Sequence, residues 1–471
     1  MRFLQKGVTK TMKAKELDLT TGSILTKLLL IAGPIMATQI FQMAYNLIDM
    51  FFVGRISSYA VAATGAAGMF VWLSFSLVLV GSMGASIGVS QSKGRGDMEA
   101  AKQYASSSMF IALALGAIFG IVIIAFAPFF ISMLGIQEYH VIADAALYLR
   151  LIAAAFPLQF ANMAITGAFN GAGQSSFPFY LKLIGLGVNV IISPILIFVF
   201  DMGLMGAGIA TAIGHSITGL LLIWAIKSKR FSPFVSFSLR AVFRPKLETI
   251  KQILKWTLPV AIESASFTLL TMLITNMIAG FGAMALATKQ IGVQMISLSF
   301  LIGGGYASAF TSFVGQNFGA EKFGRIKQGF KISLFVMTGW GSVVTLLLVF
   351  AGGFFYRLFS DDPTVISIGI TYLRIAAFVQ IAGCLEAVSA GAFRGLGKTI
   401  PPSIVTITFN TLRVFIAFAL SQTGLGLYGI FIGEATGILL RGIVMTLWCM
   451  IHQKKHLKQP VVLEGEAMSL V

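Results

Sequence analysis

The chain has 471 residues, of which 57% are hydrophobic and 11% charged, with a formal net charge of +17. So little charge over this length, with a mean hydropathy of +0.88, excludes a soluble globular protein. Apolar runs of roughly 20 residues or more, enough to cross a bilayer, recur from end to end. The basic residues are confined to short connecting segments, so they read as topology signals and nucleic acid is not a partner.

The apolar runs predict twelve spans, at 25–53, 58–89, 105–134, 141–167, 178–200, 204–226, 253–279, 285–314, 329–359, 365–390, 403–420 and 427–451. The fold class expected is all-α integral membrane. The opening Arg2, Lys6, Lys10, Lys13 and Lys15 imitate a signal peptide. The run that follows is too long and lacks a small-residue cleavage pattern, so it is read as an uncleaved first span. Basic residues fall on alternate loops: the N-terminal tail; Lys93, Arg95 and Lys102; the stretch 227–251; Lys322, Arg325 and Lys327; Arg394 and Lys398; and Lys454, Lys455 and Lys458. The opposite loops hold little beyond Arg55 and Arg357, which places both termini in the cytoplasm. Cys384 and Cys449 lie inside apolar runs and imply no disulfide framework.

Sliding the chain against itself by about half its length exposes a repeat. Pro34 meets Pro259, Gln91 meets Gln316, and Lys102-Gln103 meets Lys327-Gln328, each at an offset of 225. Tyr148-Leu149-Arg150 meets Tyr372-Leu373-Arg374, and the run 167–173 meets 391–397, at an offset of 224. Six spans per repeat is an even number, so the halves share one orientation and are related by an axis along the membrane normal. The organisation that follows is a cytoplasmic N-terminal tail (1–24), an N-terminal lobe (25–226), a basic cytoplasmic linker (227–252), a C-terminal lobe (253–451) and a cytoplasmic C-terminal tail (452–471). Two six-helix bundles with a cavity between them are a transporter architecture. Nothing resembles a selectivity filter, which disfavours a channel.

The second half of the first span, 38–53, carries an acid, Asp49, among otherwise uncharged residues. On a helical period Thr38, Gln42, Tyr45 and Asp49 share one face, with Gln39 and Asn46 beside them. An ionisable side chain in hydrocarbon is costly and marks a substrate or ion path. The repeat places Ile274 opposite Asp49, so the acid is not a requirement of the six-helix scaffold. Its lobe offers few cations; Lys182, near the cytoplasmic end of its span, can snorkel to the interface. Without a cation, such an acid takes and releases a proton within reach of physiological pH. Asn189 and Ser193 lie one turn apart on the fifth span, and Thr211, His215 and Thr218 share a face of the sixth. These either complete a polar chamber with Asp49 or serve as hydrogen bonds between helices. His215 suits a proton relay or a packing role.

Pro34 and Asp49, the VGQNFGA run at 314–320, the RGLGKT turn at 394–399 and the twelve-span repeat together resemble the multidrug and toxic compound extrusion (MATE) family over nearly the whole chain. The resemblance implies a plasma-membrane antiporter, monomeric in the lipid bilayer. It expels cationic or amphipathic small molecules in exchange for protons, or for sodium ions, with no cofactor and no bound metal. It also implies an N-lobe cation site at Asp49, Asn189 and Thr211. A second acid, common in the family four residues after the asparagine, is replaced here by Ser193, which argues against tight sodium binding because a hard cation prefers anionic oxygen. The seventh-helix glutamate and tenth-helix aspartate of NorM-like relatives fall on Phe267 and Gly383, with Glu263 and Glu386 one turn away. The pattern therefore leans toward the DinF-like branch. Pro34, inside the first span, makes that helix bendable at modest cost.

The C-terminal lobe holds Glu263, Lys289, Glu386, Arg413 and Glu434 within spans. Expected partners are Arg413 with Glu434, and Lys289 with Glu263 or Glu386; paired charges would be structural, and unpaired ones would line the substrate path. The 41 Phe and 21 Met are mostly lipid-facing or core material, although both suit a cavity for varied cations. Gly395-Leu396-Gly397-Lys398-Thr399 imitates a phosphate loop, but Ala392 stands where its first glycine is needed and no strand precedes it. It and its mate at 171–175 are tight turns, as is Gly94-Arg95-Gly96-Asp97. An intramembrane enzyme is disfavoured because no Ser/His, paired-Asp or His-Glu-x-x-His arrangement falls on facing spans. A flippase for a lipid-linked saccharide is the alternative transporter; it would favour a strongly cationic cavity.

Overall fold

The structure is a computed structural model that describes residues 17–134, 138–235 and 237–457. The basic residues Arg2 to Lys15 and Lys458 lie outside the described residues. The N-terminal half comprises α1 (Ile24–Gly54), α2 (Ser58–Gly94), α3 (Met98–Ser132), α4 (Tyr139–Ala154), α5 (Phe156–Gly171), α6 (Ser176–Pro194) and α7 (Gly203–Lys227). A short α8 (Leu239–Val242) follows. The second half comprises α9 (Leu247–Ala279), α10 (Ala283–Gly319), α11 (Phe323–Arg357), α12 (Pro363–Ala377), α13 (Gln380–Gly395), α14 (Ile400–Ser421) and α15 (Leu427–His456). No strand occurs among the described residues.

Ten of these helices are long and apolar enough to cross a bilayer, or twelve spans result if each of two bent pairs is one. The bends correct the single helices expected at 141–167 and 365–390. α4 and α5 meet at 48°, and α12 and α13 at 45°. The first break falls at Ala155, just before Pro157, which caps the new helix without needing its N–H. The second falls at Phe378 and Val379, the latter 224 residues on, so the break belongs to the repeat. α6 also departs from a plain helix, running past Pro194 into a π-helical turn at Ile195–Val199.

Local chemistry fixes the ends. The Ser57 hydroxyl accepts from the Ala60 N–H at 3.0 Å, and Asp97 accepts from Ala100 at 2.9 Å, so Gly94 to Asp97 forms a turn that starts α3. Gly173 and Gly397 have φ of 82° and 72° in the two turns that imitated phosphate loops, a conformation glycine adopts without steric cost. The linker is not a solvated chain. Phe234, Phe237 and Val242 are buried in a cluster with Phe177 and Leu222, and helix α9 already begins at Leu247, inside the expected 227–252.

The two halves are joined by their first helices. Ile24, Leu28, Ile31 and Ala32 of α1 pack in one core with Tyr306, Phe310 and Phe313 of α10. Farther along, beyond Pro34, Tyr45 bonds to α7 and Val53 joins the N-terminal core. The equivalent helix α9 behaves alike: Ile253 packs with Val80 of α2 and Ile111 of α3, whereas Ile274 and Ile278, beyond Pro259, join the C-terminal core. With no hydrophobic drive between helices in lipid, such contacts rest on close van der Waals packing and buried polar bonds.

Candidate functional site: a lone acid in one half, ion pairs in the other

Asp49 lies five residues before the end of α1 that is remote from the basic loops (54 − 49 = 5). Pro34 is fifteen residues earlier, about 22 Å along a helix. The Ser193 hydroxyl of α6 points at Asp49 Oδ1 from 3.5 Å, a long contact. One turn before Asp49, the buried Tyr45 hydroxyl meets Thr211 Oγ1 of α7 at 3.3 Å. Asn189, one turn before Ser193, is 2% exposed and its Nδ2 has no hydrogen-bond partner among the described residues. An unsatisfied buried donor is costly, and it marks a polar space lined by α1, α6 and α7. Tyr148 of α4, buried beside this group, lies near enough to Thr211 and Asp49 for its hydroxyl to feel both. No ion pair to Asp49 occurs among the described residues.

The other predicted polar residues are arranged differently. Gln42 donates to Asn46 Oδ1 at 3.3 Å, one row round the helix from Tyr45 and Asp49, and Asn46 is exposed. The Thr38 hydroxyl donates back to the Pro34 carbonyl at 2.8 Å. His215 lies one turn beyond Thr211, where the charge it feels is that of Lys182. Lys182 does not reach out to the interface as expected; its Nζ turns to Met163 Sδ of α5 at 3.6 Å. Thr218 bonds to the Gly214 carbonyl of its own helix.

In the C-terminal half the expected partners are replaced by others. Lys289 pairs with Glu434 at 3.0 Å, not with Glu263 or Glu386, and Glu434 is thereby not the partner of Arg413. Glu263 receives Arg394 at 3.0 Å and the Ser403 hydroxyl at 2.8 Å. Glu386 receives Arg441 at 2.8 Å, and Arg441 also donates to Asn410 at 2.7 Å. Arg413 donates to Thr271 at 2.7 Å and lies 5.2 Å from the centre of the Phe267 ring, a cation–π contact, with its Nε unpartnered among the described residues. Tyr148 and Arg441 are two participants that sequence reasoning missed, along with the neutral partners Thr271, Ser403 and Asn410. Tyr148 had been matched to Tyr372 in the repeat, and Arg441 is a charge inside the apolar run 427–451; both signals were present.

A cavity of about 220 Å³ lies between the halves. Met83 of α2 lines it on one side, and Glu263, Phe300, Glu386 and Arg394 on the other. Asp49 does not line this cavity.

The MatE family model matches residues 34–195 and again 259–419, one match in each half. The chain is 28% identical over 440 residues to the probable multidrug resistance protein NorM of Thermotoga maritima, covering 90% of this chain and 91% of that one. It is 28% identical over 395 residues to the multidrug resistance protein PmpM of Pseudomonas aeruginosa, with 81% of each chain covered. Its fold matches the outward-facing conformation of a multidrug resistance MATE family transporter of the MOP superfamily, with a TM-score of 0.87 at 23% identity over 93% of this chain and 98% of that one. Two matched halves of a bundle of apolar helices, and relatives covered nearly end to end, have one reading: the chain belongs to the MatE family of membrane transporters, and it is not an enzyme.

Proposed function

We propose that this transporter is a multidrug efflux antiporter of the cell membrane that exchanges protons for cationic or amphipathic compounds by alternating access. The carrying observation is Asp49, an acid without an ion pair among the described residues, held near Ser193, Tyr45, Thr211 and the unpartnered Asn189 amide. Protonation of Asp49 neutralises that space; loss of the proton leaves a site for a cation, so the proton and a cationic substrate compete. A single carboxylate with neutral hydroxyls is a poor substitute for the anionic oxygens a sodium ion prefers, which favours the proton. Both termini lie in the cytoplasm in this reading, by the distribution of Lys and Arg, and the monomer in the bilayer is the working unit. Placement in the DinF-like branch rests on Phe267 and Gly383 at the positions where NorM-like relatives carry acids, and it fits C-lobe carboxylates that are tied to arginines and a lysine.

The cavity between the halves is the proposed substrate path. Two carboxylates and one guanidinium line it, which suits cations better than the strongly cationic chamber a lipid-linked saccharide flippase would need. The test is uptake of a fluorescent cationic dye into inverted vesicles containing the purified protein, driven in turn by a proton and by a sodium gradient. Proton-driven uptake that is lost in Asp49→Asn supports the reading. Sodium-driven uptake that survives the substitution moves the coupling site to Glu263 and Glu386 and overturns it.

A further inference from the structure

All hydrogen bonds between the two halves, among the described residues, fall from the level of Ser76 and Ser264 to the end that carries the basic loops. At that end they are mirrored by the repeat. The Gln91 amide donates to the Gly395 carbonyl at 2.9 Å, and its mate Gln316 donates to the Gly171 carbonyl at 2.8 Å. Each glutamine thus crosses to the turn of the opposite half, since 316 − 91 = 225 and 395 − 171 = 224. The helices bearing them touch through glycine: a side chain at Gly94 would strike the Gln316 carbonyl, and one at Gly319 the Gln91 carbonyl.

One element has no mirror image. Residues 17–22 lie across this junction as a strap. The Leu19 N–H donates to Gln316 Oε1 at 3.1 Å, and Asn317 donates to the Leu19 carbonyl at 3.1 Å. Arg325 donates to the carbonyls of Gly22, Leu19 and Thr21 at 3.0 to 3.3 Å, and Lys322 donates to that of Thr20 at 3.0 Å. Leu19 is fully buried. On the other side the Leu17 N–H reaches the Gly173 carbonyl, at 3.4 Å. Gln316 is therefore shared: its carbonyl oxygen holds the strap while its amide holds the turn of the N-terminal half.

We propose that the strap at 17–22 and the Gln91–Gln316 pair are a releasable lock on the basic-loop end. The cavity becomes accessible from that end only when the strap lifts off Gln316 and both glutamines leave the opposing turns. The asymmetry gives the device its direction. Arg325, Lys322 and Asn317 fasten the strap to the C-terminal half, whereas among the described residues its hydrogen bond to the N-terminal half is the one from Leu17 to Gly173. The strap leads directly into α1, whose first turns pack on α10. When the halves part, strap and first turns stay with the C-terminal half, and the break runs between Leu17 and Gly173 and between Ile31 and Ser175, whose hydroxyl donates to the Ile31 carbonyl at 2.8 Å.

The proposal rests on two-sided access to the cavity, but its test reads labelling and not transport, so the two can fail separately. Ser308→Cys, on the cavity wall, is introduced with Cys384→Ala and Cys449→Ala, and labelled by a membrane-impermeant maleimide in inside-out and right-side-out vesicles. Gln91→Ala removes a bond of the latch alone, and Arg325→Ala removes three bonds of the strap together with the Arg325–Asn317 contact at 3.2 Å, leaving the latch intact. Losing a neutral hydrogen bond shifts the open–closed equilibrium by roughly threefold to tenfold, and losing those of a cation by about tenfold or more. The expected result is faster labelling from the basic-loop side and slower labelling from the other, in both variants. Unchanged labelling, or labelling raised equally on both sides, overturns the lock.

Discussion

Pro34 and Pro259, 225 residues apart, sit in helices divided in a similar way: the start of each, through Met36 or Ser264, packs on the opposite half, and the far end, from Tyr45 or Ile274 on, packs on its own. Each sits inside a helix, α1 or α9, where the ring removes a backbone hydrogen bond and leaves the segment easier to bend. These two residues are therefore where the helices that join the halves bend most easily. Pro34→Ala and Pro259→Ala are expected to stiffen the helices, since proline costs about 3 kcal/mol in a helix interior. The check is paired: thermal unfolding equal to or higher than wild type, with dye transport reduced several-fold. Full-rate transport in both variants would remove the prolines from the mechanism.

Ser193 stands 3.5 Å from Asp49 and occupies the position where many relatives implied by the resemblance carry an acid. Ser193→Asp would place two carboxylates side by side, which cannot both ionise without a cation between them. We expect this variant to acquire sodium-dependent dye transport, read as stimulation by a sodium gradient that wild type does not show. Ser193→Ala, by contrast, removes only a long contact and should cost less than about 1 kcal/mol of stability.

The three ion pairs of the C-terminal half span 145, 131 and 55 residues of sequence. Removing one member of a buried pair leaves its partner's charge stranded, which costs about 3–5 kcal/mol. Arg441→Ala strands Glu386 and leaves the Asn410 carbonyl oxygen without its donor, so it should lower the melting temperature in detergent markedly. Arg413 lacks a carboxylate partner among the described residues, and Arg413→Met should be near neutral or stabilising by the same measurement.

Those pairs mark where sequence reasoning stopped. The repeat made Pro34, Gln91 and both glycine turns legible, because a constant offset carries the architecture of one half onto the other. Asp49 was legible because a charge in an apolar run needs a reason, and Ser193 and Thr211 followed from helical spacing joined to family resemblance. Which arginine meets which glutamate was not legible. That depends on the rotation and depth of helices that share no local pattern, and all the charges concerned except Arg394, which sits at a turn, lie in runs of similar hydropathy. The breaks at Ala155 and Val379 were hidden for a related reason: an apolar run reads the same whether the helix inside it is straight or bent by more than 40°. The strap escaped notice because a short polar segment before the first span has no periodicity to betray where it binds.

Asp18 supplies a pH test of that strap. Asp18 is exposed, and what desolvation it meets in the strap would by itself raise its pKa. The bonds it accepts from the Thr20 N–H and hydroxyl at 2.8 Å and from the Thr21 hydroxyl at 2.9 Å, with the charge of Lys322, hold it below the ordinary 3.8. A group whose pKa is depressed in the folded strap contributes stability that is fully present above the unfolded value and is lost as pH falls through the folded one. The strap should accordingly keep its grip from neutral pH down to about 4 and loosen only in more acidic solution. Asp18→Asn should loosen it at every pH above about 4 and match wild type in strongly acidic solution. Amide hydrogen exchange at Leu19 and Thr20 reads this directly: protection in wild type should be flat above pH 4 once intrinsic rates are divided out, and lower throughout that range in the variant. Protection that falls between pH 7 and 5 instead would assign the control of the strap to a different group.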